Sequence, residues 1–145
     1  MPIPESRIDP HNLDRFIEAQ DKVYSTVVSE LKSGRKQSHW MWFIFPQIDG
    51  LGFSDIAKFY AIKNLEEAKH YLCHPVLGSR LLECSAMVLG IKDRHIEKIL
   101  PCPDHLKFKS SMTLFSCVKN ADPIFEVVLD RFFQGKRDIR TLDLL

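Results

Sequence analysis

The stretch that decides the fold is residues 38–47, SHWMWFIFPQ, in which both tryptophans of the chain and two phenylalanines fall within six positions. By periodicity alone, a short apolar run of this kind fits a buried strand and a buried helix equally well. Ser38 as an N-cap and Pro46 as a terminator favour two helical turns. Because an element that is apolar all round is buried on every side, we predict a short aromatic-rich helix at the centre of the molecule.

The rest of the chain has helical periodicity. From Asn12 to Leu31 apolar residues recur at i, i+3 and i+4, and Gly34 stands at the position of a C-terminal cap. Further helices are predicted over about 54–61, 64–72, 75–88, 104–118 and 122–135, with N-caps at Ser54, Asn64, Asp93, Asp104 and Asp122. No segment alternates with period 2, so a lone strand would have no partner. The sequence predicts an all-α fold, one compact multihelical domain over residues 1–145.

Composition excludes several classes of function. The 145 residues are 45% hydrophobic and 27% charged, as in ordinary globular proteins, and the formal net charge is +1. This balance provides no positive field for nucleic acid or for an anionic membrane. There is no apolar run long enough to span a bilayer and no basic-then-apolar leader at the start. We therefore expect a soluble cytoplasmic protein with neither nucleic acid nor membrane as a partner.

The cysteines and histidines do not predict a metal site. No C-x-x-C pair occurs among the four cysteines, Cys73, Cys84, Cys102 and Cys117. We expect reduced and mostly buried thiols, of which Cys102, between two prolines, is the most exposed. His70 and His74 have the i, i+4 spacing of helical zinc ligands, but His74 precedes Pro75 and no H-E-x-x-H pattern is present. No metal and no other cofactor is predicted.

The sequence resembles a known family in four segments. These are RKQSHWMWFIFPQIDGLG at 35–52, YLCHPVLGSRLLEC at 71–84, KFKSSMTLF at 107–115 and VLDRFFQGKRDIRTLDLL at 128–145. Together they look like the domain-of-unknown-function family 1810, small bacterial proteins, with a similarity that covers about residues 9–145. The label calpastatin, sometimes used for this family, denotes a disordered inhibitor and does not suit this composition. The resemblance implies an all-helical fold and no particular reaction.

The candidate binding residues begin around the aromatic run. Lys36, Ser38, His39 and Gln47 flank it, and a cation, a hydroxyl and an imidazole so close together are suited to a phosphate or a carboxylate. Trp40 or Trp42 could stack on a flat ring. The alternative is structural: Ser38 is a cap, His39 satisfies a buried carbonyl, and the tryptophans belong to the core. The residues leave both interpretations open.

A second candidate strip lies on the helix that follows Asp104. Lys107, Ser110 and Ser111 fall at i, i+3 and i+4 and share one face. Either the serines let another helix approach closely, or they present hydroxyls beside an ammonium to an anion. Asp130 is a weaker candidate, since it shares a face with Glu126 and fits a solvated charged surface.

Three functions remain open. The first is a pocket for a small anionic, ring-bearing ligand of the nucleotide type, in which the ends of the aromatic element face Lys107, Ser110 and Ser111 and residues 47–53 form the rim. The second is a protein-interaction module without catalysis. The third follows from HPVLGSRLLE at 74–83, which is similar to a segment of the YbiA-like proteins and implies N-glycosidic chemistry on NAD or ADP-ribose. Those relatives place a glutamate beside a motif histidine, whereas Ser38 and Trp40 flank His39 here. The sequence leaves the ligand, any turnover and the oligomeric state open.

Overall fold

The aromatic stretch forms the helix α2 (Met41–Ile44) in a computed structural model of the protein, which describes residues 9–145. The predicted short helix is confirmed, but it is a single turn, and the residue that precedes it is Trp40. The prediction that Ser38 is its N-cap is wrong. The Ser38 hydroxyl instead donates a hydrogen bond of 2.5 Å to Glu30 Oε2 at the end of the preceding helix.

Helices make up most of the described chain. They are α1 (Asp14–Lys32), α2, α3 (Asp55–Phe59), α4 (Leu65–Cys73), α5 (Leu77–Leu89), α6 (Ile96–Ile99), α7 (Asp104–Ser116), α8 (Ile124–Phe133) and α9 (Ile139–Leu144). Within residues 9–145 extended pairing is limited to one isolated parallel bridge, between Ile48 and Ile62. The all-α prediction is therefore confirmed. Among these helices, none combines the length and the apolar character needed to cross a membrane.

The helices surround α7, whose residues 110–115 are all buried. This helix packs against α2, α4, α6, α8 and α9, while α5 packs against α1, α2, α4 and α8. Helix α2 lies where α1, α5 and α7 meet. At that junction the rings of Phe45 and Phe108 form an edge-to-face pair with 4.7 Å between their centroids. The aromatic stretch is thus central because it joins three longer helices.

The helix ends follow the predicted capping residues in some places and not in others. Ser54 and Asn64 cap α3 and α4 through their side chains, which accept from the backbone N–H groups three residues ahead. Asp104 is the first residue of α7 rather than its cap, because its carboxylate is engaged by Lys36. Asp93 is no cap either: it has a left-handed backbone (φ 63°) before α6, which begins at Ile96.

The four cysteines are free thiols, and they are less buried than predicted. Cys84 is buried, Cys117 is half-buried, and Cys73 and Cys102 are exposed. The expectation that Cys102 is accessible is confirmed, while the expectation of mostly buried thiols is wrong for Cys73. Burial raises the pKa of the Cys84 thiol to about 12, which keeps this thiol protonated.

The loop that follows α2 is held against α3. The Ile62 N–H donates to the Gln47 carbonyl at 2.8 Å, and the Asp49 N–H donates to the Ile62 carbonyl at 2.8 Å. Gly52 lies so close to α3 that a Cβ atom there would be 2.6 Å from the Cβ of Ala57. A side chain at position 52 would therefore push the loop away from α3. This packing positions residues 47–54 beside α7.

Candidate functional site

The polar residues at the N-terminal side of α2 form a closed cluster of four, Glu30, Lys36, Ser38 and Trp40, around the Glu30 carboxylate. Glu30 accepts from the backbone N–H groups of Gln37 and Ser38 at 2.7 and 2.9 Å, from the Ser38 hydroxyl, and from the Trp40 indole N–H at 3.0 Å. Burial would raise the pKa of this carboxyl, but the hydrogen bonds from Ser38, Gln37 and Trp40 prevail and lower it to about 2. The closed cluster thus satisfies its own polar groups.

Lys36 completes this cluster. Its Nζ is 2.8 Å from Asp104 Oδ2, donates to the Ser38 carbonyl, and lies 5.1 Å from the centre of the Trp40 ring. Only 6% of the side chain is exposed. The candidates Lys36, Ser38 and Trp40 therefore have internal partners, although Lys36 and Trp40 also border a cleft described below.

The main cleft, the larger of two adjoining ones, is an open concavity of about 500 Å³ between the loop after α2, α7 and α9. Its lining residues are Trp42, Gln47, Leu51, Gly52, Phe53, Ser54, Ala57, Pro103, Leu106, Lys107, Lys109, Ser110, Asp138 and Arg140. Four candidates from the sequence, Trp42, Gln47, Lys107 and Ser110, meet here. The loop expected as the rim, residues 47–53, contributes Gln47 and residues 51–53.

A smaller cleft of about 340 Å³ adjoins the main one. It is bordered by His39 and Lys36 on one side and by residues 101–104 on the other, and it shares Trp42, Pro103 and Lys107 with the main cleft. The Lys107 Nζ lies 5.0 Å from the centre of the Trp42 ring at this boundary. Because exposed His39 borders the same cleft as Lys107, the two lie on one side of the molecule.

The charges lining the main cleft are predominantly positive. Lys107, Lys109 and Arg140 line this cleft together with one carboxylate, Asp138. Asp138 Oδ2 already accepts from the Ser110 and Thr141 hydroxyls at 2.7 and 2.5 Å. Lys107 has a distant carboxylate partner, Asp104 Oδ1 at 3.9 Å. The cleft therefore retains cationic groups with donor capacity for an anion.

The two serines of the predicted strip have different environments. Ser110 borders the cleft, and its hydroxyl is hydrogen-bonded to Asp138 and to the Leu106 carbonyl. Ser111 is fully buried, and its Oγ has no hydrogen-bond partner among the described residues. Ser111 therefore contacts the core rather than the cleft, as the close-packing alternative expects.

Several residues of the main cleft were not among the sequence candidates. Lys109, Asp138 and Arg140 line it beside Phe53, which belongs to the rim predicted over residues 47–53 and is 77% exposed. Lys109 was detectable, since it follows Lys107 by two positions, but Asp138 and Arg140 come from α9 and its preceding turn. Their proximity to α7 depends on the packing of the two helices, which leaves no local sequence signal.

The weaker candidates lie away from both clefts. Asp130 is exposed on α8. His74 lies outside α4, and its Nδ1 accepts from the backbone N–H groups of Val76 and Leu77 at 3.1 and 3.3 Å. Despite their i, i+4 spacing, His70 and His74 are therefore not two free ligands on one helix.

Comparison with known proteins identifies the family. The sequence pattern of the family described as "Protein of unknown function (DUF1810)" matches residues 10–145, and the chain belongs to this family. A solved structure that is similar is that of the conserved hypothetical protein Rv1873 from Mycobacterium tuberculosis. The two are 50% identical, with a TM-score of 0.93, over 94% of this chain and 98% of the other. Among curated proteins no match was found.

Proposed function

We propose that this protein is a binding domain whose main cleft takes a small anionic ligand that carries a flat ring, as a nucleotide does. The observation that carries the proposal is the juxtaposition of Trp42 and Lys107 at the boundary of two adjoining clefts. An indole supplies a stacking surface, and an ammonium 5.0 Å from its centre supplies charge for a neighbouring phosphate or carboxylate.

The surrounding residues support the same ligand class. Lys109 and Arg140 extend the positive lining beyond Lys107, so an anion with more than one charge has several possible partners. Gln47 adds an amide that both donates and accepts, which suits the edge of a heterocycle. A cleft of about 500 Å³ with a few convergent polar groups has the usual size of a small-molecule site.

The carboxylates at the two clefts favour binding over hydrolysis. The carboxylates that border the clefts are Asp138, held by two hydroxyls, and Asp104, paired with Lys36. Both are committed to protein groups, so the geometry does not favour either as a general base. The residues therefore support recognition of an anion more directly than its hydrolysis.

The experiment is a thermal-shift screen over inorganic phosphate, sugar phosphates, nucleotides, ADP-ribose and NAD. A ligand at 100 times its dissociation constant stabilises the folded state by about 2.7 kcal/mol, which raises Tm by about 5–10 °C in a protein of this size. Lys107→Ala and Trp42→Ala should abolish the shift. Lys119→Ala, at an exposed lysine away from both clefts, is the matched control and should retain it.

A blank screen, or a shift in Tm that survives both cleft substitutions, would contradict the proposal.

The second candidate function is an interaction module, favoured by the exposure of Phe53 (77%) and Leu106 (53%) at the rim of the same cleft. It predicts no small-molecule shift, together with a specific partner whose binding Phe53→Ser and Leu106→Ser abolish.

A further inference from the structure

A cluster of potential metal ligands lies outside both clefts. The imidazoles of His11 and His70 and the carboxylate of Glu66 each offer one ligand atom, and these three atoms lie within 4.8 Å of one another. None of the three residues lines either cleft described above. We propose that His11, Glu66 and His70 bind a divalent transition-metal ion of the zinc class.

The ligand types define the class of ion. Two imidazole nitrogens and one carboxylate oxygen are a borderline donor set, which suits zinc and the later first-row metals. Calcium and magnesium prefer oxygen ligands throughout. Three protein ligands leave a fourth position of a tetrahedral ion for water or for another ligand.

Two of the ligands come from one helix. Glu66 and His70 are both on α4, and the i, i+4 spacing places their side chains one above the other on the same face. Both are exposed, so their side-chain torsions can adjust. Ligand atoms on one tetrahedral zinc are about 3.3 Å apart, so rotation of these two side chains would complete the approach.

The third ligand belongs to the segment before α1. The His11 ring already lies against the His70 ring, with 4.7 Å between their centroids. The start of α1 is fixed by Asp9, whose carboxylate accepts from the backbone N–H groups of Leu13 and Asp14 at 2.7 and 2.9 Å. His11 is thus part of an ordered turn.

A buried ion pair ties this turn to α4. Arg15 Nη1 donates to the His11 carbonyl at 2.6 Å, and Arg15 Nη2 donates to Glu67 Oε2 at 2.7 Å. The exposed fractions of the two side chains are 7% and 2%. Because Glu67 is the neighbour of Glu66, one guanidinium holds the backbones that carry His11 and Glu66 in a fixed relation. This preorganisation distinguishes the cluster from chance neighbours on a surface.

The test uses untagged, chelator-treated full-length protein titrated with Zn²⁺ by isothermal calorimetry. We expect one ion per chain and a Tm that rises with Zn²⁺. Loss of a group that only orients a ligand costs about 10–100-fold in metal affinity, so His11→Ala or His70→Ala should weaken binding by at least about 100-fold. Glu66→Gln, which keeps the shape and removes the charge, should also weaken it.

Two controls separate this site from other zinc ligands. His95→Ala, at an exposed histidine before α6, and Cys73→Ser, at the exposed thiol one turn beyond His70, should bind Zn²⁺ as the unmodified protein does. Circular dichroism checks that each variant is folded, and His11→Gln and His70→Gln replace any alanine variant that is not. Absence of binding, or binding unchanged by the loss of His11 and His70, would overturn the proposal.

Discussion

The two sides of α2 contain the same kinds of side chain. On one side they are paired with other protein groups, and on the other they line a cleft. On the N-terminal side, Glu30 accepts from Ser38 and Trp40, and Asp104 pairs with Lys36. Lys36 and Trp40 are 6% and 1% exposed. On the cleft side, Lys107 and Trp42 are again a lysine and a tryptophan. There Trp42 is half-buried and Lys107 keeps most of its donor capacity.

The difference shows that residue type does not separate a structural group from a binding group. A buried polar atom without a partner is costly, so a structural cluster must supply a partner for each donor. Glu30 accepts from Trp40 and Ser38, and Asp104 pairs with Lys36. Lys107, Lys109 and Arg140 have no comparable set of carboxylates in the described cleft, and remain available to a ligand. The partners, rather than the residues, distinguish the two sides.

The largest effect should come from the two tryptophans. Trp40→Ala removes a fully buried aromatic ring and one donor to Glu30, and should lower the free energy of unfolding by about 3–5 kcal/mol. Trp42→Ala, at a half-buried ring in the cleft, should cost about 1 kcal/mol. Urea denaturation measures both. Equal losses of unfolding free energy in the two variants would show that Trp40 and Trp42 do not differ as core and cleft residues.

The next effect concerns the two lysines. Lys36→Met removes one partner of a largely buried ion pair and should cost about 3 kcal/mol, because Asp104 keeps its charge with only the distant Lys107. Lys107→Met removes a half-exposed cation and should change stability by less than about 1 kcal/mol. Thermal and urea unfolding of both variants make the comparison, and a Lys36→Met protein as stable as the unmodified chain would contradict the structural role of Lys36.

The smallest effect is in the pH dependence of the closed cluster. The pKa of Glu30 is lowered from its ordinary 4.5 to about 2, so its contribution to stability is complete above pH 4.5 and is lost as the pH falls towards 2. Glu30→Gln should cost about 2 kcal/mol at pH 7 and flatten this part of the stability profile. Urea midpoints between pH 2 and 7 provide the test, with Glu83→Gln, at an exposed carboxylate, as the control. A profile that Glu30→Gln leaves as steep as before would refute this role.

Local patterns in the sequence were sufficient for most of the helices. Helix signals of this kind depend on residues close together in the chain, so a short stretch of sequence is enough to detect them. Examples are the apolar repeat from Asn12 to Leu31, Gly34 after it, and the caps Ser54 and Asn64. The Asp104 assignment failed for the opposite reason. Asp104 is engaged by Lys36, which lies 68 positions earlier and is brought close only by folding.

The sequence by itself determined an all-helical domain centred on an aromatic helix, together with some of the polar residues near the candidate site. Helical periodicity and capping are local. A run of large apolar side chains must be buried whichever elements of the fold cover it. Only the tertiary structure decided which polar residues are satisfied internally and which face a cleft, and that His11 lies beside Glu66 and His70. These outcomes depend on pairings across distant segments, whose partners are selected by the packing of α1, α4, α7 and α9 and leave no periodic trace in the sequence.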